Sequence, residues 1–139
     1  MKLTVIGTPK ALKRHRHTKK GFTYDPSFQD KKQFSLQANI MKPDRPLEGA
    51  LKVNLKFYFQ RPKNHYRSGK FSKLLKPNIS GNYKTNKPDL DNLVKLVLDS
   101  LQGCGFYRDD SQVVSIVADK YYCELSEEPR TEINISFLN

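Results

Sequence analysis

Alternating apolar and polar residues predict the strands of this chain. Over residues 51–59 every second residue is apolar, with lysine, asparagine or tyrosine at most of the positions between, which is the period of a strand that buries one face. Shorter runs of the same kind occur at the start of the chain and in two later segments, over residues 3–5, 113–118 and 131–138. We therefore expect four strands.

Two segments show the period of a helix. After Asp89 the apolar residues recur on one helical face until Gly103, which is typical of a helix end. Before the longest strand, helical spacing predicts a helix over residues 26–41, with Asp25 as N-cap and Pro26 as first helical residue. The apolar positions of the second helix are Leu90, Leu93, Val94, Val97, Leu98 and Leu101.

The order of these elements is strand, helix, strand, helix, strand, strand. Such an order predicts a single α+β domain over residues 1–139, with a mixed β-sheet and two main helices packed on it. A length of 139 residues is near the commonest size for one domain. Two stretches lack periodicity: a segment at 10–20, which we expect to be a basic loop, and a long polar segment at 61–87, which exceeds the usual connector length.

The chain is strongly basic, with 25 Lys and Arg against 14 Asp and Glu and a formal charge of +11. A charge of this size favours polyanionic partners, and the sequence shows no basic amphipathic helix of the kind that binds membrane surfaces. It also shows no apolar run of about 18 residues and no signal peptide. We expect a cytoplasmic protein that binds nucleic acid and keeps Cys104 and Cys123 reduced.

Clustered acids are conspicuous in a chain that attracts phosphates. One cluster is formed by Asp89 and Asp91 at the start of the second helix, and the other by Asp109 and Asp110 before the next strand. Carboxylates placed together beside DNA repel each other and the phosphates, which raises at least one pKa unless a cation lies between them. The pattern therefore predicts a divalent metal site that hydrolyses phosphodiesters.

The spacing of the first cluster has a geometric condition. Residues i and i+2 of a helix point about 200° apart, so Asp89 and Asp91 converge only if Asp89 stays at the non-helical cap, which Pro88 favours. Mg²⁺ needs only one or two carboxylates, because water and substrate phosphate complete its octahedron. Lys95 lies one turn after Asp91, where it either stabilises charge on the phosphate or pairs with Asp91 and Asp99.

Each acid also has an ordinary structural interpretation. Asp89 could cap the helix, Asp91 could favour the helix dipole, and the pair Asp109 and Asp110 could form a turn. Spacing does not show whether the two clusters meet in space. We expect Asp99 to be a solvated surface residue.

The segment 87–114, KPDLDNLVKLVLDSLQGCGFYRDDSQVV, closely resembles the core motif of the RusA-type crossover junction endodeoxyribonucleases of bacteria and their prophages. It contains the PDLDN start, a lysine six residues after the first aspartate, the apolar helix, a Gly-aromatic turn and the DDSQV sequence. A looser likeness to the phage-like branch of the family extends over residues 46–70. The family's catalytic residues match Asp89, Asp91, Asp110 and Lys95, and its metal site matches Asp89, Asp91 and Asp110, with Asp109 as a further acid.

This resemblance implies a Mg²⁺-dependent homodimer, with Mn²⁺ as an alternative metal, that binds four-way (Holliday) junctions and nicks two strands symmetrically in DNA recombination and repair. A bacterial or prophage origin is implied in the same way. The two basic segments become candidate junction contacts, and the residues that represent them are Arg14, Arg16, Arg67, Lys70 and Lys73. Each of these is equally well interpreted as solvated basic surface. Two alternatives stay open: a nuclease for other branched DNA, and a basic DNA-binding protein without catalysis.

Overall fold

A computed structural model describes residues 1–14 and 16–138, and the side chain of Arg16 lies outside the described part. Strands and helices follow the predicted order, with one small addition. Their bounds are β1 Lys2–Ile6, β2 Arg16–His17, β3 Thr23–Tyr24, α1 Phe28–Ala38, β4 Ala50–Phe59, α2 Leu90–Cys104, β5 Val113–Tyr122 and β6 Arg130–Leu138. None of the described helices is long and apolar enough to cross a membrane.

Four of the strands form one mixed sheet in the order β1-β6-β4-β5. The β4–β5 pair is parallel, and the other two pairs are antiparallel. Leu55 on β4 lies opposite Ile133 on β6 and Ala118 on β5, so apolar residues of neighbouring strands share one face. This confirms the predicted α+β class with a mixed sheet.

Both main helices cover that apolar face. Leu93, Leu96 and Val97 on α2 are at most 2% exposed, and Phe34 and Ala38 bury one side of α1. The alternation of β4 follows the pattern closely, because its apolar residues are buried and the residues between them are half-buried or exposed. The buried face of α2 differs in part from the predicted one. Leu96, which was not in the predicted set, is buried, whereas the predicted residues Leu90, Val94 and Leu98 are only partly buried.

The predicted start of α1 was wrong. Ser27 is the N-cap and Phe28 begins the helix, while the Asp25 carboxylate accepts hydrogen bonds from the Ser27 N–H and the Lys31 ammonium, both at 2.9 Å. Asp25 thus closes a turn one step before the helix, so Pro26 lies outside it. After Ala38 the chain continues as a 3-10 turn over Asn39–Met41.

Two other predicted boundaries also differ. Gly103 lies inside α2, and the left-handed cap is Gly105 at φ 85°, a conformation that glycine adopts without steric cost. β5 continues beyond Ala118 to Tyr122, because β4 pairs with it to the end, where Phe59 lies opposite Tyr122.

The basic segment at 10–20 is not wholly a loop. It contributes β2, which forms a short hairpin with β3, and His17 Nδ1 lies 2.9 Å from the Thr23 hydroxyl. The long segment 61–87 is tied by turns over Lys63–His65 and Gly69–Phe71 and by a bridge between Tyr66 and Leu75.

Candidate active site

The first acidic pair lies where the chain enters α2. Asp89 occupies the N-cap position with extended backbone angles, φ −70° and ψ 139°, yet its side chain makes no capping hydrogen bond. Asp91 lies in the first helical turn, and its carboxylate accepts a hydrogen bond only from the adjacent Asn92 N–H, at 2.9 Å, among the bonds described. Both residues are exposed. Asp89 therefore meets the non-helical condition for convergence, and its carboxylate is not used as a helix cap.

The second acidic pair lies on a 3-10 turn that leads into β5. Asp109 is the N-cap of this turn and accepts a hydrogen bond from the Ser111 N–H at 2.9 Å. Gln112 completes a capping box, because its Oε1 accepts from the Asp109 N–H at 3.2 Å. Its Nε2 donates to the carbonyls of Leu47 and Gly49, which fastens the turn to the chain before β4.

The two acids of this turn differ in electrostatics. Hydrogen bonds from Ser111 lower the pKa of Asp109 below its usual value. Partial desolvation raises the pKa of Asp110, and the neighbouring Asp109 and Asp99 raise it further, while Lys95 opposes them. The Asp109 carboxylate thus stabilises the turn, whereas the negative charge of Asp110 is disfavoured unless a cation lies near it.

Within one chain the two acidic pairs lie near opposite ends of α2. The backbone N–H of Asp110 donates to Gln102 Oε1 at 2.8 Å, near the last turn of the helix. Asp89 precedes the first turn, and at about 1.5 Å per residue the helix axis between Asp89 and Gln102 spans roughly 20 Å. No group of three or more acids, histidines or cysteines placed to hold a metal occurs in residues 1–14 and 16–138.

Lys95 and Asp99 lie between the two pairs on α2. Lys95 is exposed, and its charge acts on Asp110. Asp99 was expected to be a solvated surface residue, but it forms an ion pair. Its carboxylate lies 3.6 Å from the Lys31 ammonium, which also pairs with Asp25 at 2.9 Å. Asp99 and Asp110 line the same shallow depression. α1 thus supplies a cation that balances Asp99.

Four of the five predicted DNA contacts lie on the surface. Arg14, Arg67, Lys70 and Lys73 are exposed, and the Arg67 Nε donates to the Leu75 carbonyl at 3.0 Å, which leaves most of its guanidinium accessible. The four residues are divided between the segment before β2 and the segment 61–87. The backbone of Arg16 lies in β2, but its side chain is among those not described.

The alternation of apolar residues did not predict that the segment before Asp89 pairs with the sheet. Residues 82–84 pair with the end of β5: the Tyr122 N–H donates to the Asn82 carbonyl at 2.6 Å, and the Lys84 N–H to the Lys120 carbonyl at 3.1 Å. Tyr83 stacks on Tyr121 with 5.1 Å between ring centroids. Ending the predicted strand at Ala118 concealed this contact, although the run of tyrosines at 121 and 122 was a signal for its continuation.

Comparisons with known proteins agree with this fold and motif. Residues 6–136 match the family described as "Endodeoxyribonuclease RusA". The chain is 36% identical to "Uncharacterized protein YqaN" of Bacillus subtilis (strain 168) over 145 aligned positions, covering 97% of this chain and 94% of that protein.

A second relative matches over a shorter length. It is the "Crossover junction endodeoxyribonuclease rusA" of Lactococcus phage r1t, 43% identical over 54 residues, which is 39% of each chain. The family match covers nearly the whole chain, and it confirms the predicted family and enzyme class. The chain belongs to the RusA family of endodeoxyribonucleases.

Proposed function

We propose that this endonuclease resolves four-way DNA junctions by Mg²⁺-dependent hydrolysis of phosphodiesters in recombination and repair. The observation that carries the proposal is the pair Asp89 and Asp91, two exposed carboxylates at a helix start, in a chain with a formal charge of +11. N-cap aspartates commonly accept hydrogen bonds from the N–H groups of the first turn, and the Asp89 carboxylate does not.

The donor set fits a hard divalent cation. Asp89, Asp91 and Asp110 offer carboxylate oxygens, which Mg²⁺ prefers and Mn²⁺ also accepts, and Asp109 is adjacent. When bound, the cation supplies an activated water and stabilises the leaving oxygen. The raised pKa of Asp110 supports its place in this set, because the disfavoured charge becomes favourable beside a cation.

Lys95 has the complementary part in this proposal. One helical turn separates it from Asp91, and its exposed ammonium is free to approach a phosphate oxygen that gains charge during hydrolysis. Its ammonium lowers the pKa of Asp110, which supports a place for Lys95 near the second acidic pair. Lys95 thus places a positive charge between the two pairs of acids.

A homodimer would reconcile the separated acids with one metal site. Asp89 lies at the start of α2, whereas the turn that carries Asp110 is hydrogen-bonded near the end of α2. Two copies related by a two-fold axis would therefore each bring one acidic pair towards the other's. β5 begins next to Asp110 and is an outer strand of the sheet. Three of its apolar side chains, Val114, Ile116 and Val117, are 44–62% exposed, which is typical of a self-association surface.

Basic residues would hold the junction. Arg14, Arg16, Arg67, Lys70 and Lys73 are proposed phosphate contacts that position the DNA without reading its sequence. A two-fold enzyme suits a four-way junction, because each subunit then addresses one of two equivalent strands. We further propose that the protein acts in the cytoplasm of a bacterium, encoded by the host or by a prophage.

Cleavage of defined substrates tests the proposal. The wild-type protein is incubated in Mg²⁺ with a four-way junction, a fork, a flap and a linear duplex of equal length. Faster paired nicking of the four-way junction supports resolution. Equal rates on all four substrates would favour a nuclease for branched or general DNA, and binding without cleavage would favour a basic DNA-binding protein.

A further inference from the structure

Lys120 on β5 contacts the chain immediately before the first acidic pair. Its ammonium donates hydrogen bonds to the backbone carbonyl of Asn86 and to that of Pro88, both at 2.8 Å. Both carbonyls belong to the irregular segment that enters α2. A lysine ammonium has three donors, and two of them here hold one short stretch of backbone.

The register of the sheet explains why Lys120 reaches this segment. Lys120 lies opposite Phe57 on β4, a residue that is 1% exposed and faces the helices. Since directly opposite residues of paired strands lie on the same face of the sheet, Lys120 points to the side on which α2 packs. A lysine on the helix-covered side needs polar partners there, and the carbonyls before α2 are those partners.

The contact with Pro88 acts on Asp89 through one rigid unit. The carbonyl of Pro88 and the N–H of Asp89 belong to the same planar peptide group. Holding that oxygen fixes the orientation of the plane from which the Asp89 side chain extends. Asp89 needs its extended backbone to converge with Asp91, because inside a helix the two would point apart.

Neighbouring contacts support the same segment from the other end. The Arg61 guanidinium, 8% exposed, donates to the Gly81 carbonyl at 2.6 Å. The Lys84 ammonium donates to the Asn86 side chain and lies 5.3 Å from the Phe59 ring centroid. These contacts fasten residues 81–86, whereas Lys120 alone among the described side chains also reaches the peptide that adjoins Asp89.

We propose that Lys120 is a positioning residue of the nuclease site, which presents the Asp89 carboxylate for metal binding by holding the Asn86 and Pro88 carbonyls. This inference rests on the proposed metal-dependent nuclease function. Lys120 touches neither DNA nor metal in this role. Its removal should therefore raise the Mg²⁺ concentration that cleavage requires more than it weakens binding of the junction.

The test compares Lys120→Met with Lys120→Arg, which keeps donors for two carbonyls. Lys56→Met is the matched control, because Lys56 is an exposed lysine on the adjacent strand β4 with no such contact described. Cleavage of a four-way junction is measured across a Mg²⁺ titration, and junction binding is measured in EDTA. Amide hydrogen exchange is measured over the whole chain for every variant without DNA.

We expect Lys120→Met to raise the half-maximal Mg²⁺ concentration by about tenfold, the usual effect of losing a partner that orients a metal ligand. Exchange should become faster at the Leu93 N–H, which donates to the Asp89 carbonyl at 3.2 Å, but not throughout the chain. Lys120→Arg should recover most of both effects, and Lys56→Met should match the wild type. An unchanged Mg²⁺ requirement in Lys120→Met would overturn the inference. Faster exchange throughout the chain would also overturn it, because Lys120 would then support the fold as a whole.

Failure of the nuclease proposal would be recognisable separately. If the wild type cleaves no branched DNA in any divalent metal, the proposed function is wrong. Hydrogen exchange alone then tests whether Lys120 holds the Asn86 and Pro88 carbonyls. Faster exchange at the Leu93 N–H alone in Lys120→Met would still support Lys120 as the residue that holds Asp89. Unchanged exchange there would refute it.

Discussion

Gln102 on α2 accepts a hydrogen bond from the backbone N–H of Asp110 at 2.8 Å. This bond fixes the turn that carries Asp110 against the last part of the helix whose first part carries Asp91. It leaves the Asp110 carboxylate beside Asp109 and within the influence of Asp99. The chain thus holds three negative charges in one region without a described metal-type cluster.

Replacing Asp110 should stabilise the protein in the absence of metal. Since the folded chain raises the pKa of Asp110, its ionised form is disfavoured in the folded state at pH values above the folded pKa, and this cost is absent below the ordinary aspartate range. Asp110→Asn should therefore raise Tm at neutral pH, with a gain that disappears in acid. Thermal unfolding in EDTA across a pH series measures it.

Asp109→Asn is the matched control, with the opposite sign. Hydrogen bonds from Ser111 lower the pKa of Asp109 in the folded state. The ionised carboxylate therefore stabilises the fold at pH values above the ordinary aspartate pKa, and this stabilisation is lost as the pH falls through the lowered pKa of the folded state. The variant should have a lower Tm than the wild type at neutral pH. Equal Tm changes in the two variants would contradict the assigned roles.

Tyr107 should contribute to stability through one buried hydrogen bond. Its hydroxyl donates to the Leu98 carbonyl at 2.8 Å, and the residue is 1% exposed; burial accordingly raises the pKa of this phenol. Tyr107→Phe should lower the free energy of unfolding by about 1 kcal/mol. Urea denaturation measures this, and no change would indicate that the bond is weaker in solution.

The strongest local patterns predicted much of the fold, because they report burial directly. Alternation located β4, and the helical stripe located α2. The β2–β3 hairpin pairs only residues 16–17 with 23–24, too short a stretch for any period to emerge. The cap at Gly105 was missed because Gly103 interrupts the apolar pattern first.

The candidate site was predictable only in part, for a different reason. The acidic clusters and the motif indicated Asp89, Asp91 and Asp110 as candidates, since clustered acids are unusual in a basic chain. The position of Asp110 near the end of α2 depends on the turn held by Gln112 and Gln102, which is tertiary structure. Lys120 escaped notice because nothing local indicates that a lysine in a strand will reach carbonyls more than thirty residues earlier in the sequence.

Basic residues of the segment 61–87 should contribute to the salt dependence of junction binding. If Arg67, Lys70 and Lys73 contact phosphates, replacing each by glutamine should weaken binding of any branched DNA and reduce the slope of log affinity against log salt by about 1. Binding titrations at several salt concentrations give that slope. An unchanged slope in a variant would identify its side chain as solvated surface.

The exposed edge of β5 should govern self-association. Val117→Lys places a charge on an apolar outer strand and should shift a dimer to monomer without lowering Tm of the monomer. Ile40→Lys is the control, since Ile40 is 85% exposed on the turn after α1. Sedimentation velocity separates the outcomes, and a dimer that persists in Val117→Lys would place the interface elsewhere.

Asp91→Asn in a four-way junction assay is the most direct test of the account. The asparagine keeps the size of the side chain and removes the charge that would hold the cation. Cleavage in Mg²⁺ should fall by more than about a hundredfold, since even indirect partners of metal ligands are worth about 10- to 100-fold. Junction binding should persist or strengthen, because a negative charge near phosphate is lost.

The products should also be examined in the same experiment. Wild-type protein in Mg²⁺ should give paired, symmetric nicks that DNA ligase seals, and Asp91→Asn should give none while it still shifts the junction in a binding gel. If Asp91→Asn cleaves the junction at the wild-type rate, the proposed site is wrong.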